Sequence, residues 1–206
     1  MVKTLLIKYL PSGAWSKTKK LLDIFLKEID GQEVETLDLL QYTPPIFTEA
    51  SIGAYYKRNY QGQTLTADES ALLAENDRLI AQFKSADVVV IAAPFHNFGI
   101  PGVVKLYLDA IIFNHETFEL GQKPLAGKRA LALFTSGGVY DPVSASLTAG
   151  FKSWDTYSQV FKINFTFMGF DKAEVVATSL QHEESAEQHL KEAGEKIKAV
   201  VAEYYA

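Results

Sequence analysis

Residues 87–101 read Asp87-Val88-Val89-Val90-Ile91-Ala92-Ala93 and then Pro94-Phe95-His96-Asn97-Phe98-Gly99-Ile100-Pro101. The first half is a β-branched run with no alternation of polar and apolar residues. That is the signature of a parallel strand covered on both faces, and it predicts the central strand of a sheet. The second half closes that strand and opens a helix. In open parallel sheets, ligands settle outside the carboxyl ends of the strands, near the point where strand order reverses. Pro94 and Pro101 stiffen this loop, Gly99 allows close backbone approach, and Phe95, His96 and Phe98 offer ring faces to a flat ligand.

The rest of the chain alternates strand and helix around this unit. A first strand over about Thr4 to Tyr9 is followed by a loop and a helix from near Ser16, with Leu22, Phe25, Leu26 and Ile29 at helical spacing. A second strand, Glu33–Leu39, alternates charged and apolar residues and is expected nearer the sheet edge. From Leu40 to Thr66 the pattern breaks into a polar segment with Pro44-Pro45, two glycines and Tyr42, Tyr55, Tyr56 and Tyr60. It reads either as a functional loop, facing a partner or lining a site, or as a surface excursion.

Thr66-Ala67-Asp68-Glu69 marks a helix start. Leu72, Leu73, Leu79, Ile80 and Phe83 are the expected buried face of that helix. After Pro101 a helix runs to about Ile112 with an apolar surface broad enough for burial on two sides. A polar excursion over Phe113–Ala126 precedes a fourth strand, Arg129–Thr135, which ends in Ser136-Gly137-Gly138. A helix is expected within Lys152–Met168, a fifth strand at Ala173–Thr178 and a last helix from Glu183 to about Tyr204. Each strand–helix–strand passage implies a right-handed parallel crossover. The sum is a single doubly wound α/β domain over residues 1–206, with a five-stranded parallel sheet in the order 2-1-3-4-5 and helices on both faces.

Composition narrows the chemistry. The 206 residues suffice to bury about 70 % of the unfolded surface in one core, and no apolar run approaches the roughly 18 residues that span a bilayer. The opening run Met1–Lys8 carries a charge amid its apolar residues and no small-residue cleavage site, so it reads as a strand and a cytoplasmic location is the default. The chain has no cysteine, which excludes a thiolate nucleophile, a disulfide framework and an iron–sulfur cluster. A net charge of -5 provides no basic field for nucleic acid. His96, His115, His182 and His189 show no metalloprotease spacing, so no metal site is expected.

Three strand ends carry the residues of interest. Ser12, Ser16 and Thr18 place hydroxyls around a helix N-terminus, whose free N–H groups and dipole suit a phosphate. Ser16 read alone is equally an ordinary helix cap. The loop has neither the Walker ending nor the paired-glycine dinucleotide fingerprint, and the chain has no Gly-x-Ser-x-Gly elbow. At the fourth strand, Gly137 and Gly138 bring backbone N–H groups within reach of a ligand edge.

In these stretches the sequence resembles the FMN-dependent NADH-azoreductases, a branch of the flavodoxin-like NAD(P)H:quinone reductases. The resemblance is carried by the hydroxyl loop ending Ser16-Lys17-Thr18 and by Ala93 to Pro101 with Lys105, Tyr107 and Asp109. It continues through Thr117-Phe118, Leu125-Ala126-Gly127-Lys128 and Ser136-Gly137-Gly138-Val139-Tyr140, and spans most of the chain in order. It implies that Ser16, Lys17 and Thr18, with Ser12, hold the phosphate of FMN. Pro94, Phe95, His96, Asn97 and Phe98 would flank the isoalloxazine, with Ser136, Gly137, Gly138 and Val139 along its other edge. Phe118 and Tyr140 would wall the acceptor pocket. As catalytic candidates, His96 would tune or protonate the second substrate and the backbone donors around Asn97 would stabilise negative charge on the reduced flavin.

The implied reaction is a two-electron, ping-pong hydride transfer from NADH or NADPH through bound FMN to a quinone or azo compound, in a homodimer. Two positions depart from the family pattern: Leu10 stands where a small hydroxyl residue is usual, and His96 where a larger aromatic is common. A flavodoxin-type electron carrier, a reductase that releases its flavin, and an FMN-binding interaction module without turnover are the alternative readings.

Overall fold

Val88, Val89, Val90, Ile91 and Ala92 are all fully buried, and they form the middle strand of the sheet. The computed structural model of the chain describes residues 1–138, 154–181 and 183–206. In order, the elements are β1 (Lys3–Lys8), α1 (Lys17–Glu28), β2 (Glu33–Asp38), α2 (Glu49–Asn59), α3 (Ala67–Ser85), β3 (Val88–Ala92), α4 (Gly102–Ile111), β4 (Arg129–Ser136), α5 (Thr156–Phe167), β5 (Lys172–Ser179) and α6 (Glu183–Tyr204). The five strands pair parallel throughout in the order β2-β1-β3-β4-β5. This is the sheet expected from the sequence, and its switch point lies between β1 and β3.

Two apolar layers sandwich the sheet. On one face Leu5, Ile7, Val89, Ile91, Ala130 and Phe134 pack against α3, α4 and α5 through Leu73, Phe83, Tyr107, Ile111, Phe161 and Phe165. On the other, Leu6, Val88, Val90, Leu131 and Leu133 meet Leu21, Phe25, Ile197 and Tyr204 of α1 and α6. Burial of each large side chain of this kind stabilises the fold by about 1.5–3 kcal/mol. Residues of β3 and β4 appear in both layers because alternate side chains point to opposite faces.

Two expectations needed revision. The segment 40–66 is not a continuous loop, for α2 occupies Glu49–Asn59 behind a reciprocal cap between Thr48 and Ser51. Its Gly53 and paired tyrosines give a weak propensity signal. Tertiary contacts sustain it: Tyr55 is buried, and the Asn59 amide donates to the Asn114 carbonyl at 2.7 Å. On α3 the cap at Thr66 and Glu69 forms as expected, but Leu72 is 43% exposed. Leu73, Leu79, Ile80 and Phe83 face inward as expected, Asn76 joins them in place of Leu72, and buried Asn76 donates to the Ala110 carbonyl of α4 at 2.9 Å.

Candidate active site

The tips of β1, β3 and β4 stand side by side at the carboxyl edge of the sheet. Beyond the strands the pairing continues: Tyr9 N donates to Ala92 O at 2.9 Å, Ala93 N to Leu133 O at 3.2 Å and Phe95 N to Thr135 O at 3.0 Å. The loop after β3 is thereby held against β4 as far as Phe95. Its side wall is aromatic, with Phe95 stacked on Phe134 (centroids 5.7 Å) and Phe134 stacked on Tyr157 of α5 (4.3 Å).

At the β1 tip a single 3-10 turn over Gly13–Trp15 leads into α1. Ser16 caps α1, its hydroxyl oxygen accepting from Lys19 N at 3.3 Å, so the amides of Lys17 and Thr18 remain the free donors of the first turn. The Thr18 side chain is buried and its hydroxyl is already engaged. It lies 2.9 Å from the Thr135 hydroxyl and accepts from Thr135 N at 3.2 Å, which fastens α1 to β4. Thr18 therefore offers a ligand its backbone amide rather than its hydroxyl. Ser12 is exposed and makes no capping bond, while Leu10 packs against the α1/α6 layer.

Lys17 Nζ donates to Gln181 Oε1 at 2.6 Å, bringing the segment after β5 to the same rim. A Cβ on Gly137 would lie 3.4 Å from Gln181 Nε2, so the glycine lets this amide sit close to the β4 tip.

The loop after β3 folds back on itself. His96 N donates to Gly99 O at 3.0 Å and Gly99 N to His96 O at 2.9 Å, with Asn97 at φ 45° and Phe98 at φ 69° between them. Positive φ at both central positions is the sign pattern of a type I′ turn. Asparagine tolerates that region; for phenylalanine it is a genuine outlier. His96, Asn97 and Phe98 are exposed along the rim, His96 edge-on to Tyr9 at 6.1 Å and Phe98 edge-on to Trp154 at 4.8 Å. The Asn97 amide donates to no acceptor among the described residues. The Ser136 hydroxyl donates to the Gly138 carbonyl and shapes the turn that ends β4.

The structure thus brings Ser12, Ser16, Lys17, Thr18, Pro94, Phe95, His96, Asn97, Phe98, Ser136, Gly137 and Gly138 to one edge of the sheet. Val139 and Tyr140 lie outside the described residues. Phe118 is elsewhere: its ring packs on Phe167, the last residue of α5, at 4.7 Å. Neighbouring Glu116 pairs with Lys84 near the end of α3 at 3.0 Å. Both helix ends lead into strand starts, so Phe118 sits at the amino edge, across the sheet from the other candidates. Buried Thr117 holds that loop, donating to Ile111 O at 2.6 Å and accepting from Phe113 N at 2.9 Å.

Tyr9, Trp154, Thr156 and Gln181 reach the rim without having been singled out in the sequence. Thr156 and Gln181 are single polar residues at element ends, and only the packing of α5 and the β5 tip against their neighbours brings them there. Among the described residues no cluster of His, Asp or Glu could hold a metal ion, and no helix is long and apolar enough to cross a membrane.

The donor set suits a phosphorylated planar ring. Free helix N-terminal amides beside a lysine bind a phosphate monoester, and the Cβ-free Gly137-Gly138 backbone with the aromatic loop leaves a slot for a flat group.

A family model described as flavodoxin-like fold matches residues 2–201. The FMN-dependent NADH:quinone oxidoreductase of Shewanella loihica is 31% identical over 98% of this chain and 100% of its own length. That of Haemophilus influenzae is 35% identical over 68% of this chain and 72% of its own. Among solved structures, an FMN-dependent NADH-azoreductase from Bacillus anthracis, in complex with FMN, superposes with a TM-score of 0.77. It is 26% identical, over 96% of this chain and 99% of that one.

Proposed function

The chain belongs to the FMN-dependent NADH:quinone oxidoreductase family of the flavodoxin-like fold, and on that footing we propose that it binds FMN at the joined tips of β1, β3 and β4 and reduces quinones and azo compounds with NADH or NADPH. The observation that carries the reading is the convergence on one edge of three parts. These are the first-turn amides of α1 beside Lys17, the His96–Gly99 turn and the Gly137-Gly138 backbone.

FMN, when bound, supplies a ring that accepts a hydride from the reduced nicotinamide and passes it to the acceptor, so no catalytic triad is needed. The chain's own residues bind and orient. The amides of Lys17 and Thr18, the Lys17 ammonium and the hydroxyls of Ser12 and Ser16 would hold the phosphate. Phe95 and Phe98 would confine the ring, and Pro94 keeps the loop in place. The free Asn97 amide and the backbone of Gly137 and Gly138, continuing into Val139, would donate to negative charge on the ring system. His96, exposed beside Tyr9, stands where it could meet the second substrate.

Residues 1–206 act as one unit in this reading, and the protein is a cytoplasmic homodimer that binds neither nucleic acid nor membrane. α4 runs from the site edge at Gly102 to the opposite edge at Ile111. Two copies packed across α4 by a two-fold axis would bring Phe118 of one beside the rim of the other, where it would wall the acceptor pocket with Tyr140. Exposed Tyr56 and Tyr60 pack with Tyr55, whose hydroxyl accepts from Asn114 N just past α4, and with exposed Leu120 and Phe167 they supply apolar surface for that contact.

The test is direct. The purified protein should bind FMN with an absorbance band near about 450 nm and consume NADH steadily with a small quinone, giving parallel-line initial-rate patterns. FMN binding without steady turnover would make the protein an electron carrier or a binding module. Failure to take up FMN would remove the reading altogether.

A further inference from the structure

We infer that Thr156, the first residue of α5, is a positioning residue that holds the His96–Gly99 turn in its left-handed form. The inference deepens the FMN-binding reading and rests on it for its functional consequence. Phe98 adopts φ 69°, a region that costs a bulky side chain energy and persists only where the surroundings over-determine it. The cross-turn pair between His96 and Gly99 supplies part of that restraint. Thr156 adds a second restraint from outside the loop.

Both donors of Thr156 converge on one acceptor. Its backbone N lies 3.3 Å from Phe98 O, an N–H shared with Trp154 O at 2.9 Å, and its hydroxyl also donates to Phe98 O. The approach depends on Gly99, because a Cβ there would stand 2.9 Å from Thr156 Oγ1. The helix start is itself anchored by Asp155, whose carboxylate accepts from Ser158 N at 2.8 Å. Trp154 meets the Phe98 ring edge-on, so the same short segment grips both the backbone and the side chain of the strained residue.

The consequence is that a residue 58 positions away from Phe98 sets the Phe98–Gly99 peptide plane. Thr156 need not touch the flavin to act. By fixing the Phe98 carbonyl it fixes the Gly99 N–H that donates to His96 O, which keeps the turn closed and so sets how the Asn97 amide is presented to the ring.

Amide hydrogen exchange in the flavin-free chain tests the first half. Thr156→Val should speed exchange at His96 and Gly99 about tenfold, as expected for loss of a local restraint, while Thr156→Ser stays within about twofold of the parent. Gly99→Ala, which drives a methyl against Thr156, should loosen the turn in the same way at the His96 amide. FMN titration tests the second half. Thr156→Val should weaken FMN binding by roughly fivefold to tenfold, with Thr156→Ser restoring it.

In a Phe98→Gly background the same substitution should change FMN binding less than about twofold, because glycine occupies positive φ without penalty. Unchanged exchange in Thr156→Val, or an equal loss of FMN affinity in both backgrounds, overturns the assignment. A parent chain that takes up no FMN would defeat the proposed function instead, and the exchange results would still decide whether Thr156 holds the turn.

Discussion

The Thr18 hydroxyl, in the first turn of α1, lies 2.9 Å from the Thr135 hydroxyl near the tip of β4, and both side chains are buried. This contact couples the two loops that would grip opposite ends of a phosphorylated ring. Thr18→Val leaves the Thr135 hydroxyl and amide without their partner and should cost about 1–3 kcal/mol of stability. Urea unfolding measures it, and a midpoint equal to the parent's would show that the contact contributes nothing.

Ser16 has two roles to separate. Ser16→Ala removes the cap of α1, at a cost of about 1 kcal/mol, and should lower FMN affinity by roughly tenfold through the disturbed first turn. Riboflavin lacks the phosphate, so its affinity should not change. Trp15 and Trp154 are the only tryptophans in the chain and both flank the site, so quenching of their fluorescence reports either ligand. Equal losses for FMN and riboflavin would place the phosphate elsewhere.

Gly169 offers a control away from the rim. It has φ 91°, and a Cβ there would fall 2.7 Å from Lys123 Cα, a backbone atom that cannot swing aside. Gly169→Ala should therefore destabilise the chain by about 2–4 kcal/mol and leave the FMN affinity of the folded fraction unchanged. Thermal unfolding with and without FMN separates the two effects.

Phe118→Ala bears on the assembly. If Phe118 walls the pocket of a second copy, the substitution should lower kcat/KM for a small quinone by roughly tenfold, the scale of a lost aromatic wall, and leave FMN affinity intact. Sedimentation equilibrium gives the oligomeric state. A monomer, or unchanged quinone kinetics, would remove Phe118 from the pocket.

Stability should fall at both ends of the pH scale. A hydrogen bond from Gln82 holds the Glu35 carboxyl below its ordinary 4.5, with Lys3 adding to the effect. Hydrogen bonds from Arg78 and then Tyr42 do the same for Glu75. Their contribution is present above pH 4.5 and is lost as the pH drops below it, because the unfolded chain then binds protons more readily than the folded one. Burial raises the Tyr107 and Tyr157 phenols above their ordinary 10.0. Above pH 10 the unfolded chain ionises there and the folded chain does not, so stability declines. Denaturation midpoints from pH 3 to 11 should trace a plateau with two falling limbs, and a flat acid limb would show that the carboxylate pairs do not persist in solution.

Residue order alone determined the five strands, their parallel sense and the central place of β3. Each of those follows from local periodicity and from the steric handedness of a crossover, which depend on near neighbours in the chain. The three loops of the candidate site were legible for the same reason, since strand ends in such a sheet necessarily face one edge. Packing alone decided that Thr18 spends its hydroxyl on Thr135, that α2 forms across Gly53 and the tyrosines, and that Leu72 turns outward while Asn76 turns in. It also carried Phe118 to the far edge and brought Thr156 and Gln181 to the rim. These outcomes depend on contacts between residues far apart in sequence, where no local pattern records which side chain will be the neighbour.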